Sequence, residues 1–462
     1  MASTYLTKTF SSEGNRKVWT FSAWIKRSEL GTKEIFWSGS ASNNYARIGF
    51  EGNDSIKIFE VRSGSTSWEI ETNAKFRDTN GWYHLVITSN TLSGTSSERT
   101  KIMVNNVEQT LSTNSQIPQN DQSTINGGSP HKIGSGYSAG FFDGSMSHIH
   151  FTDGTVYAPT AFGEYDANGV WKIKTDVSVT YGTNGFFILK DGNSVTDQSG
   201  EGNNFTVASG TLTNTEDNPS NVFATLNPLF VNDDGATNAL TKGNNTYTST
   251  TRGEWNNMTS TLGAMTGKYY WEVKYEQLID AATIYMSDEG VASTDLAPAN
   301  SNLGEGTRSG YGYGWLASNR NTTSNTRYLK TVNGTATLTT DSNNTPVVVN
   351  DIVGVAFDAT NGKLWFHKNG TYIDDLSGNV GNPSSDAYPY HTGMQTGILY
   401  TVWSDVWNNA SGSLLIKSYN FGNGYFGTTA VSSAGTNASG IGIFEYDVPT
   451  GYTALSTKGL NL

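Results

Sequence analysis

The chain has 462 residues, no cysteine, a formal net charge of −12 and only 15% charged residues. These values exclude disulfides and cysteine-based metal sites. They also argue against nucleic-acid binding and docking on anionic lipid, both of which need clustered lysine and arginine. With 51 glycines and few charges, the composition favours many short strands joined by tight turns over long amphipathic helices.

The beginning of the chain, MASTYLTKTF, lacks the apolar core of a signal peptide, and no apolar run reaches membrane-spanning length. We therefore expect no membrane insertion. The absence of cysteine favours assembly in a reducing cytoplasm. The length predicts two or three domains.

The first half of the chain predicts a sandwich of two antiparallel sheets. Its strand patterns recur about every ten residues, and the Asn105-Asn106 pair marks a hairpin turn because asparagine tolerates positive φ. The main strand patterns lie at residues 18–27, 34–40, 45–52, 55–64, 67–72, 81–90 and 99–110.

Four motifs in this half resemble the laminin G-like, concanavalin A-like jelly-roll domains in order and spacing. They are WTFSAWIKR, GWYHLVIT, KIMVNNVEQ and FFDGSMSHIHFTDG, and the resemblance covers residues 4–155. It implies a β-sandwich. Many members of that family bind carbohydrate, and some bind calcium.

Four aspartates and a pair of histidines are candidate metal ligands in this half. Asp143, Asp153, Asp191 and Asp197 could offer oxygen ligands to calcium, but no compact Asp-x-Asp-x-Asp loop is present, and aspartate beside glycine is commonly a turn residue. His148 and His150 share a strand face, yet two ligands alone do not make a metal site. We therefore predict no cofactor, with calcium as the alternative.

A glycosidase of this fold would place carboxylates on one face of one strand. Glu69 and Glu71 in SWEIET share a face, but they lack a further acidic partner. A Glu-x-Glu pair on a strand is more commonly a solvated face, so we predict a non-catalytic protein.

The stretch 216–230, EDNPSNVFATLNPLF, separates two different runs of strand patterns. Its two prolines favour an extended, ordered crossing over a flexible tether. We expect its apolar residues Val222, Phe223 and Leu226 to pack against one or both domains and to fix their relative angle.

The second half predicts another antiparallel sandwich, with hairpin signals at Asn333-Gly334, Asn361-Gly362 and Asn369-Gly370. The motifs GKYYWEV, DIVGVAFD and LWFHKNG resemble those of SPRY domains, and the match covers residues 245–425. SPRY domains are binding modules. The resemblance therefore implies a partner-reading role rather than catalysis.

One aromatic motif of this half is a candidate sugar site. In YTVWSDVWNN, Trp403, Asp405 and Trp407 alternate onto one strand face, and aromatic rings beside short polar groups suit sugar stacking. The alternative is that the tryptophans pack in a core or a subunit interface.

The closing motif FEYDVPTGYTAL and the earlier NPSNVFATLNPL resemble parts of marine and cyanobacterial bacteriophage virion-surface proteins of the tail-fibre type. That resemblance implies a virion protein, assembled in the host cytoplasm and exposed on the particle. It would bind host-surface glycans or other virion proteins as a homo-oligomer, and the oligomer predicted is a trimer. The alternatives are a glycan-degrading depolymerase and a cellular lectin or adhesin.

The predicted fold class is all-β, with two antiparallel jelly-roll sandwiches in tandem. The predicted boundaries are 1–215 for the laminin G-like sandwich, 216–230 for an ordered linker, 231–440 for the SPRY-like sandwich and 441–462 for a C-terminal extension.

Overall fold

The structure is a computed structural model, and it confirms the all-β prediction. Strands and short 3-10 turns account for the regular structure of the described residues, which include no α-helix. No helix in these parts of the chain is long and apolar enough to cross a membrane. The structure describes residues 4–138, 140–190, 192, 194–230, 239–249, 255–278, 285–295, 310–319, 326–333, 335–408 and 415–462.

The chain forms two compact units. The first comprises Met1–Asn214 and Asn218–Ser220, and the second comprises Thr215–Asp217 and Asn221–Leu462. The division falls where the linker was predicted to begin. Most of that stretch, and all of the predicted C-terminal extension, belong to the second unit.

The described strands of the first unit are β1 (Tyr5–Lys8), β2 (Val18–Arg27), β3 (Lys33–Ala41), β4 (Asn44–Phe50), β5 (Ile56–Arg62), β6 (Ser65–Thr72), β7 (Tyr83–Asn90), β8 (Thr100–Val104), β9 (Val107–Glu108), β10 (Leu111–Ser115), β11 (His131–Ile133), β12 (Gly144–Asp153), β13 (Gly163–Tyr165), β14 (Trp171–Ile173), β15 (Phe186–Ile188) and β16 (Thr206–Ser209). Its 3-10 turns are Ser96–Glu98 and Pro159–Ala161.

These strands build two large antiparallel sheets. One has eight strands in the order β10-β6-β5-β4-β3-β11-β1-β16, and the other has six in the order β15-β12-β2-β7-β8-β9. Their inner faces enclose one core, in which Phe36, Ile48, Ile58 and Ile70 occupy one register row of the larger sheet. The period-2 alternation of these strands explains why a single face carries the core.

A third layer covers the outer face of the six-stranded sheet. Its segment 155–182 contains the β13–β14 hairpin. The His84 ring lies between Trp24, at 4.8 Å, and Trp171, at 5.8 Å, and the Trp171 indole donates to its Nδ1 at 3.0 Å. Burial lowers the pKa of His84 to about 3, so the ring stays neutral.

The described strands of the second unit are β17 (Ala239–Thr241), β18 (Thr246–Thr248), β19 (Trp255–Ala264), β20 (Lys268–Gln277), β21 (Tyr285–Ser293), β22 (Tyr311–Asn319), β23 (Thr326–Val332), β24 (Thr335–Asp341), β25 (Ile352–Asp358), β26 (Lys363–Lys368), β27 (Thr371–Tyr372), β28 (Tyr400–Asn408), β29 (Ile416–Asn420), β30 (Tyr425–Phe426), β31 (Thr429–Ala430) and β32 (Thr453–Ala454). Its 3-10 turns are Pro383–Ser385 and Gly459–Asn461.

The second unit is also a sandwich. One sheet runs β17-β18-β29-β20-β25-β26-β27, with β32 added parallel to β20, and the other runs β19-β28-β21-β22-β23-β24. A core rich in aromatic rings fills the space between them, including Trp271, Trp315 and Phe366. The predicted hairpin turns lie between paired strands: Asn333 between β23 and β24, Asn361-Gly362 between β25 and β26, and Asn369-Gly370 between β26 and β27. Asn333, Gly362, Asn369 and Gly370 have positive φ, and Gly334 lies outside the described residues.

The C-terminal segment is an integral layer of this unit. Phe444, Val448 and Tyr452 pack on the outer face of its larger sheet, against Tyr270 and Trp365. They fill a second apolar cluster, distinct from the core between the sheets. The segment predicted as an extension therefore completes the fold.

The two ends of the second unit lie side by side. The Ala224 backbone amide donates to the Leu455 carbonyl, and the Thr457 amide donates to the Val222 carbonyl, both at 2.9 Å. Phe223 and Ser456 form an antiparallel bridge between these bonds.

Candidate functional site

The outer face of the eight-stranded sheet in the first unit carries a continuous row of large side chains. Because strand residues alternate between faces, one register row places outward residues of neighbouring strands side by side. The row joins seven strands, one residue from each. It runs Thr7, Lys132, Trp37, Arg47, Phe59, Glu69 and Ser115.

Aromatic rings dominate this face. We call Tyr5, Trp37, Tyr45, Phe59 and Tyr137 the aromatic strip. The Trp37 and Tyr45 rings are stacked, with centroids 6.1 Å apart and planes inclined at 23°. Tyr45 meets Phe59 edge to face at 5.8 Å, and Tyr137 lies 6.2 Å from Trp37.

The strip is partly open to solvent. Trp37 is buried, Tyr5, Tyr45 and Phe59 are half-buried, and Tyr137 is 50% exposed. Aromatic rings held in fixed positions at a surface are suited to binding because they bury much area at little entropic cost.

The cations of this face are already engaged. Lys132 donates to the Gly136 and Tyr137 carbonyls at 3.0 Å and lies 5.1 Å from the Trp37 ring centroid. Lys57 pairs with Glu69 at 2.5 Å. Because these cations already have hydrogen-bond or ion-pair partners, the strip offers a ligand mainly aromatic rings and hydrogen-bonding groups.

Arg47 forms the most buried ion-pair cluster of the face. Its guanidinium lies 4.9 Å from the Phe59 ring, donates to Glu34 at 2.9 Å and also bonds Glu51. Burial raises the pKa of Glu34 to about 7, although Arg47 opposes that shift. These ion pairs hold the Arg47 guanidinium in contact with the Phe59 ring.

The carboxylates considered for catalysis lie on this same face. Glu71 accepts hydrogen bonds from Asn53 at 3.0 Å and Ser55 at 2.6 Å. Burial alone would raise its pKa, but these bonds and the nearby Lys57 lower it overall. A general acid of a glycosidase needs a raised pKa, so this geometry does not suit Glu71 to that role.

The aspartates considered for calcium serve as hydrogen-bond acceptors. Asp153 accepts from the Asn15 amide at 2.6 Å and the Asn126 side chain at 2.7 Å. Asp197 accepts from the backbone amides of Phe187 and Asn203 at 2.8 Å. Asp191 lies outside the described residues.

Asp143 differs from these two residues, because burial raises the pKa of its carboxyl group. Within the described ranges, no three His, Asp or Glu side chains are arranged to hold a metal ion.

The histidine pair is separated by a β-bulge. His148 has φ +48°, and the register of β12 against β2 shifts between Ser147 and His150. His150 is buried, stacks on Phe187 at 3.9 Å and bonds the Tyr181 hydroxyl at 2.8 Å. His150 therefore packs as a buried ring on the outer face of its sheet, next to Phe162 and Tyr181.

The aromatic motif of the second unit lies on β28. Trp403 is 1% exposed and Asp405 is fully buried, whereas Trp407 is half-buried. The Trp403 indole donates to Asp405 Oδ1 at 2.7 Å and packs beside Leu316 and Leu329. This corrects the sugar-stacking prediction for Trp403 and Asp405, since neither side chain is accessible; the alternative, packing in a core, describes Trp403.

The apolar residues of the predicted linker also lie in the second unit. Phe223 packs in its outer cluster and Leu226 in its central core, both 1% exposed. Val222 is half-buried, and its amide bonds the Thr457 hydroxyl at 3.0 Å. Phe223 and Leu226 thus pack against one unit, and a fixed angle between the units stays a prediction.

Comparison with known proteins identifies the first unit. Residues 3–159 match the family model of the concanavalin A-like lectin/glucanase superfamily. This part of the first unit is thus similar to laminin G-like, concanavalin A-like domains. No curated protein matches the chain.

Three solved structures are similar to parts of the chain. A native heptameric SAP-like pentraxin from Limulus polyphemus shares 14% identity, with 41% of this chain and 89% of that chain covered and a TM-score of 0.27. The SPRY domain of human HERC1 shares 13% identity over 38% and 87%, with a TM-score of 0.26.

The third is domain 4 of AbnA, a GH43 extracellular arabinanase from Geobacillus stearothermophilus, in complex with arabinotriose. It shares 20% identity, with 33% of this chain and 65% of that chain covered and a TM-score of 0.24. All three TM-scores are below 0.5, so the domain assignment rests on the family match.

The aromatic strip was missed by the sequence analysis. Its signal was present: Trp37, Tyr45 and Phe59 occupy outward positions of three consecutive strands, where polar residues are usual. Alternation alone did not say which face of each strand points outward.

Proposed function

We propose that this protein is a non-catalytic glycan-binding protein, and that the aromatic strip of the first unit is its binding face. The observation that carries the proposal is the row of ordered, partly exposed rings across the outer face of a lectin-type sheet. Sugar rings present apolar C–H faces, which pack on aromatic rings, while their hydroxyls bond to neighbouring polar side chains.

The charge pattern favours a neutral glycan. Lys57 and Arg47 are paired with carboxylates, and Lys132, which keeps its positive charge, already donates to two carbonyls. The described residues of the strip therefore present little net positive charge that would select a sulfate or a carboxylate. The length of the row, which crosses seven strands, favours an extended chain of several sugar units.

We further propose that the protein acts on the surface of a bacteriophage particle, as an appendage or decoration protein that binds host glycans or neighbouring virion proteins. The support is the sequence resemblance of the closing motif and of the stretch before the second unit. A homotrimer would multiply weak glycan contacts through avidity. Light scattering on the purified protein measures its oligomeric state, and cryo-electron microscopy of intact particles tests its location.

A glycan array followed by calorimetry tests the binding face. Tyr137→Ala and Tyr45→Ala should each weaken the best-binding neutral glycan by about 10-fold, which corresponds to about 1.4 kcal/mol. Tyr165→Ala is the matched control, since Tyr165 is a 55% exposed tyrosine of the same unit outside the strip. If all three variants bind the glycan as tightly as the wild-type protein does, the strip is not the binding face.

The enzyme alternative has its own readout. Release of reducing ends from a bound polysaccharide, abolished by Glu69→Gln, would replace the binding proposal with a depolymerase. We expect no release by the wild-type protein.

A further inference from the structure

The second unit contains a cavity of about 400 Å³ that the proposed glycan face does not use. It lies beside the β26–β27 hairpin and is bounded on the other side by the chain around residues 436–450. Its volume falls in the range of small-ligand sites, roughly 300 to 1,000 Å³.

Three rings form one corner of the cavity. His367 is buried, and Tyr372 and Tyr446 meet it edge to face at 5.4 and 5.2 Å. The His367 ring lies against Gly354, where a Cβ would come within 1.9 Å of Nε2, so glycine is required beneath it. The corner is therefore rigidly built.

The histidine contributes no positive charge. Burial lowers the pKa of His367 to about 3. Its Nδ1 accepts from the Gly370 amide at 3.2 Å, which leaves Nε2 to donate to the Tyr270 hydroxyl at 2.6 Å. Tyr270 in turn donates to Glu272 at 3.0 Å. The ring is thus held neutral by a buried chain of hydrogen bonds.

The opposite wall carries a carboxylate. Asp447 Oδ1 accepts from the Thr436 amide at 2.6 Å and from its hydroxyl at 2.8 Å, and these bonds lower the pKa of Asp447. The described residues that line the cavity include no lysine or arginine.

The surroundings reinforce the negative potential. Burial raises the pKa of Tyr446, and the nearby carboxylates Glu445 and Asp351 contribute to raising it. Aromatic faces also attract cations through their quadrupole. Ring faces, an ionised carboxylate and no basic side chain form an environment that suits a cation and repels an anion.

We propose that this cavity binds the side chain of an arginine or lysine presented by a partner protein. The cationic head would lie between the Tyr446 ring and Asp447. Val448 and Pro449, which also line the cavity, would pack against the aliphatic stem. The second unit is thereby a protein-binding module, whatever the first unit binds.

A pair of ligands that differ in charge but not in shape tests this proposal. The full-length protein is titrated by ligand-observed NMR with N-acetylarginine amide and with N-acetylcitrulline amide, its neutral analogue. We expect the arginine ligand to bind at least 10-fold more tightly than the citrulline ligand, with an affinity that falls as salt is raised. Methylguanidinium, which lacks the stem, should bind several-fold more weakly than the arginine ligand.

Variants then locate the site. Asp447→Asn keeps the acceptor for Thr436 and removes only the charge, so it should reduce arginine affinity about 10-fold. Tyr446→Leu should have a comparable effect, and Tyr388→Leu, at a 54% exposed tyrosine of the same unit that does not line the cavity, should have none.

Equal binding of the arginine and citrulline ligands would overturn the proposal, as would undiminished arginine binding by Asp447→Asn. Binding of a neutral oligosaccharide that competes with the arginine ligand and survives Asp447→Asn would instead assign the cavity to sugar. None of these outcomes depends on the aromatic strip of the first unit.

Discussion

Lys417 and Glu289 form a buried ion pair that connects the two sheets of the second unit, with Nζ and Oε1 2.8 Å apart and both side chains fully enclosed. Tyr275 and Tyr419 donate their hydroxyls to the same carboxylate at 3.2 and 3.3 Å, and Ser287 accepts from Lys417 at 3.1 Å. The pair is surrounded by partners, so each charge depends on the other.

Replacing Lys417 with methionine should destabilise the second unit by about 3–5 kcal/mol, because Glu289 would be left buried without its cation. The double variant Lys417→Met, Glu289→Gln removes both charges and keeps an acceptor for the tyrosine hydroxyls. It should be more stable than Lys417→Met alone. Chemical denaturation followed by tryptophan fluorescence measures both. A single variant within about 1 kcal/mol of wild type would show that the pair contributes little.

A second prediction concerns pH. Burial raises the pKa of Glu272 to about 7, although hydrogen bonds from the Glu445 and Tyr446 amides oppose the shift. The folded state therefore binds a proton that the unfolded chain releases above its ordinary pKa near 4.5. This contribution to stability is fully present below about pH 4.5 and is lost as pH rises through about 7.

We expect the second unit to lose roughly 1 kcal/mol per pH unit across this window from Glu272. Glu272→Gln should flatten the dependence of its denaturation midpoint between pH 5 and 7.5. An unchanged slope in the variant would assign the pH dependence to other groups of the second unit, such as Glu289, whose pKa burial also raises.

The C-terminal layer yields a third prediction. Phe444 is 1% exposed and meets Tyr270 edge to face at 5.0 Å. Phe444→Ala should cost the second unit about 3–5 kcal/mol through lost burial and the cavity left behind. Its neighbour Ile443 is 39% exposed, so Ile443→Ala should cost less than about 1 kcal/mol. Similar midpoints for the two variants would mean that this layer is not tightly packed.

Substitution of Trp403 should lower the stability of the second unit without changing glycan affinity. Because the side chain is buried beside Leu316 and Leu329, Trp403→Ala should destabilise the second unit by about 3–5 kcal/mol. Glycan affinity measured at a temperature where the variant is folded should remain that of wild type. A loss of glycan binding without a loss of stability would return Trp403 to the binding site.

The fold class was predictable because alternation and turn residues are local signals. The turns Asn105-Asn106 and Asn369-Gly370 adopt positive φ as their residue types favour. What alternation could not reveal is the extra layer in each unit. Segment 155–182 covers one sheet, and the C-terminal segment covers another. Both faces of such strands are then apolar, so an outward position no longer implies an exposed residue.

The same limit explains the outcome at the candidate sites. Trp403 and Trp37 both lie on outward faces of strands and both are buried, but Trp403 is covered by the buried Leu329, whereas Trp37 lies beside the exposed ring of Tyr137. The difference depends on packing partners such as Leu329 and Tyr137, which are distant in sequence. Likewise, the cavity beside His367 is lined by a hairpin and by a segment about 70 residues later in the chain. A local sequence pattern cannot predict that two such distant segments lie next to each other.

The adjoining ends of the second unit bear on how the protein is made. The hydrogen bonds between Ala224 and Leu455 and between Val222 and Thr457 close a loop of more than 200 residues. Such contacts form late in folding, because the chain must lose the entropy of closing the loop before the contact stabilises it. During translation the first unit can fold as soon as it emerges, whereas the second must wait until residue 457 has left the ribosome. Until then its larger sheet is uncovered, and this interval is when the nascent chain is most exposed to misassembly with its neighbours on a polysome.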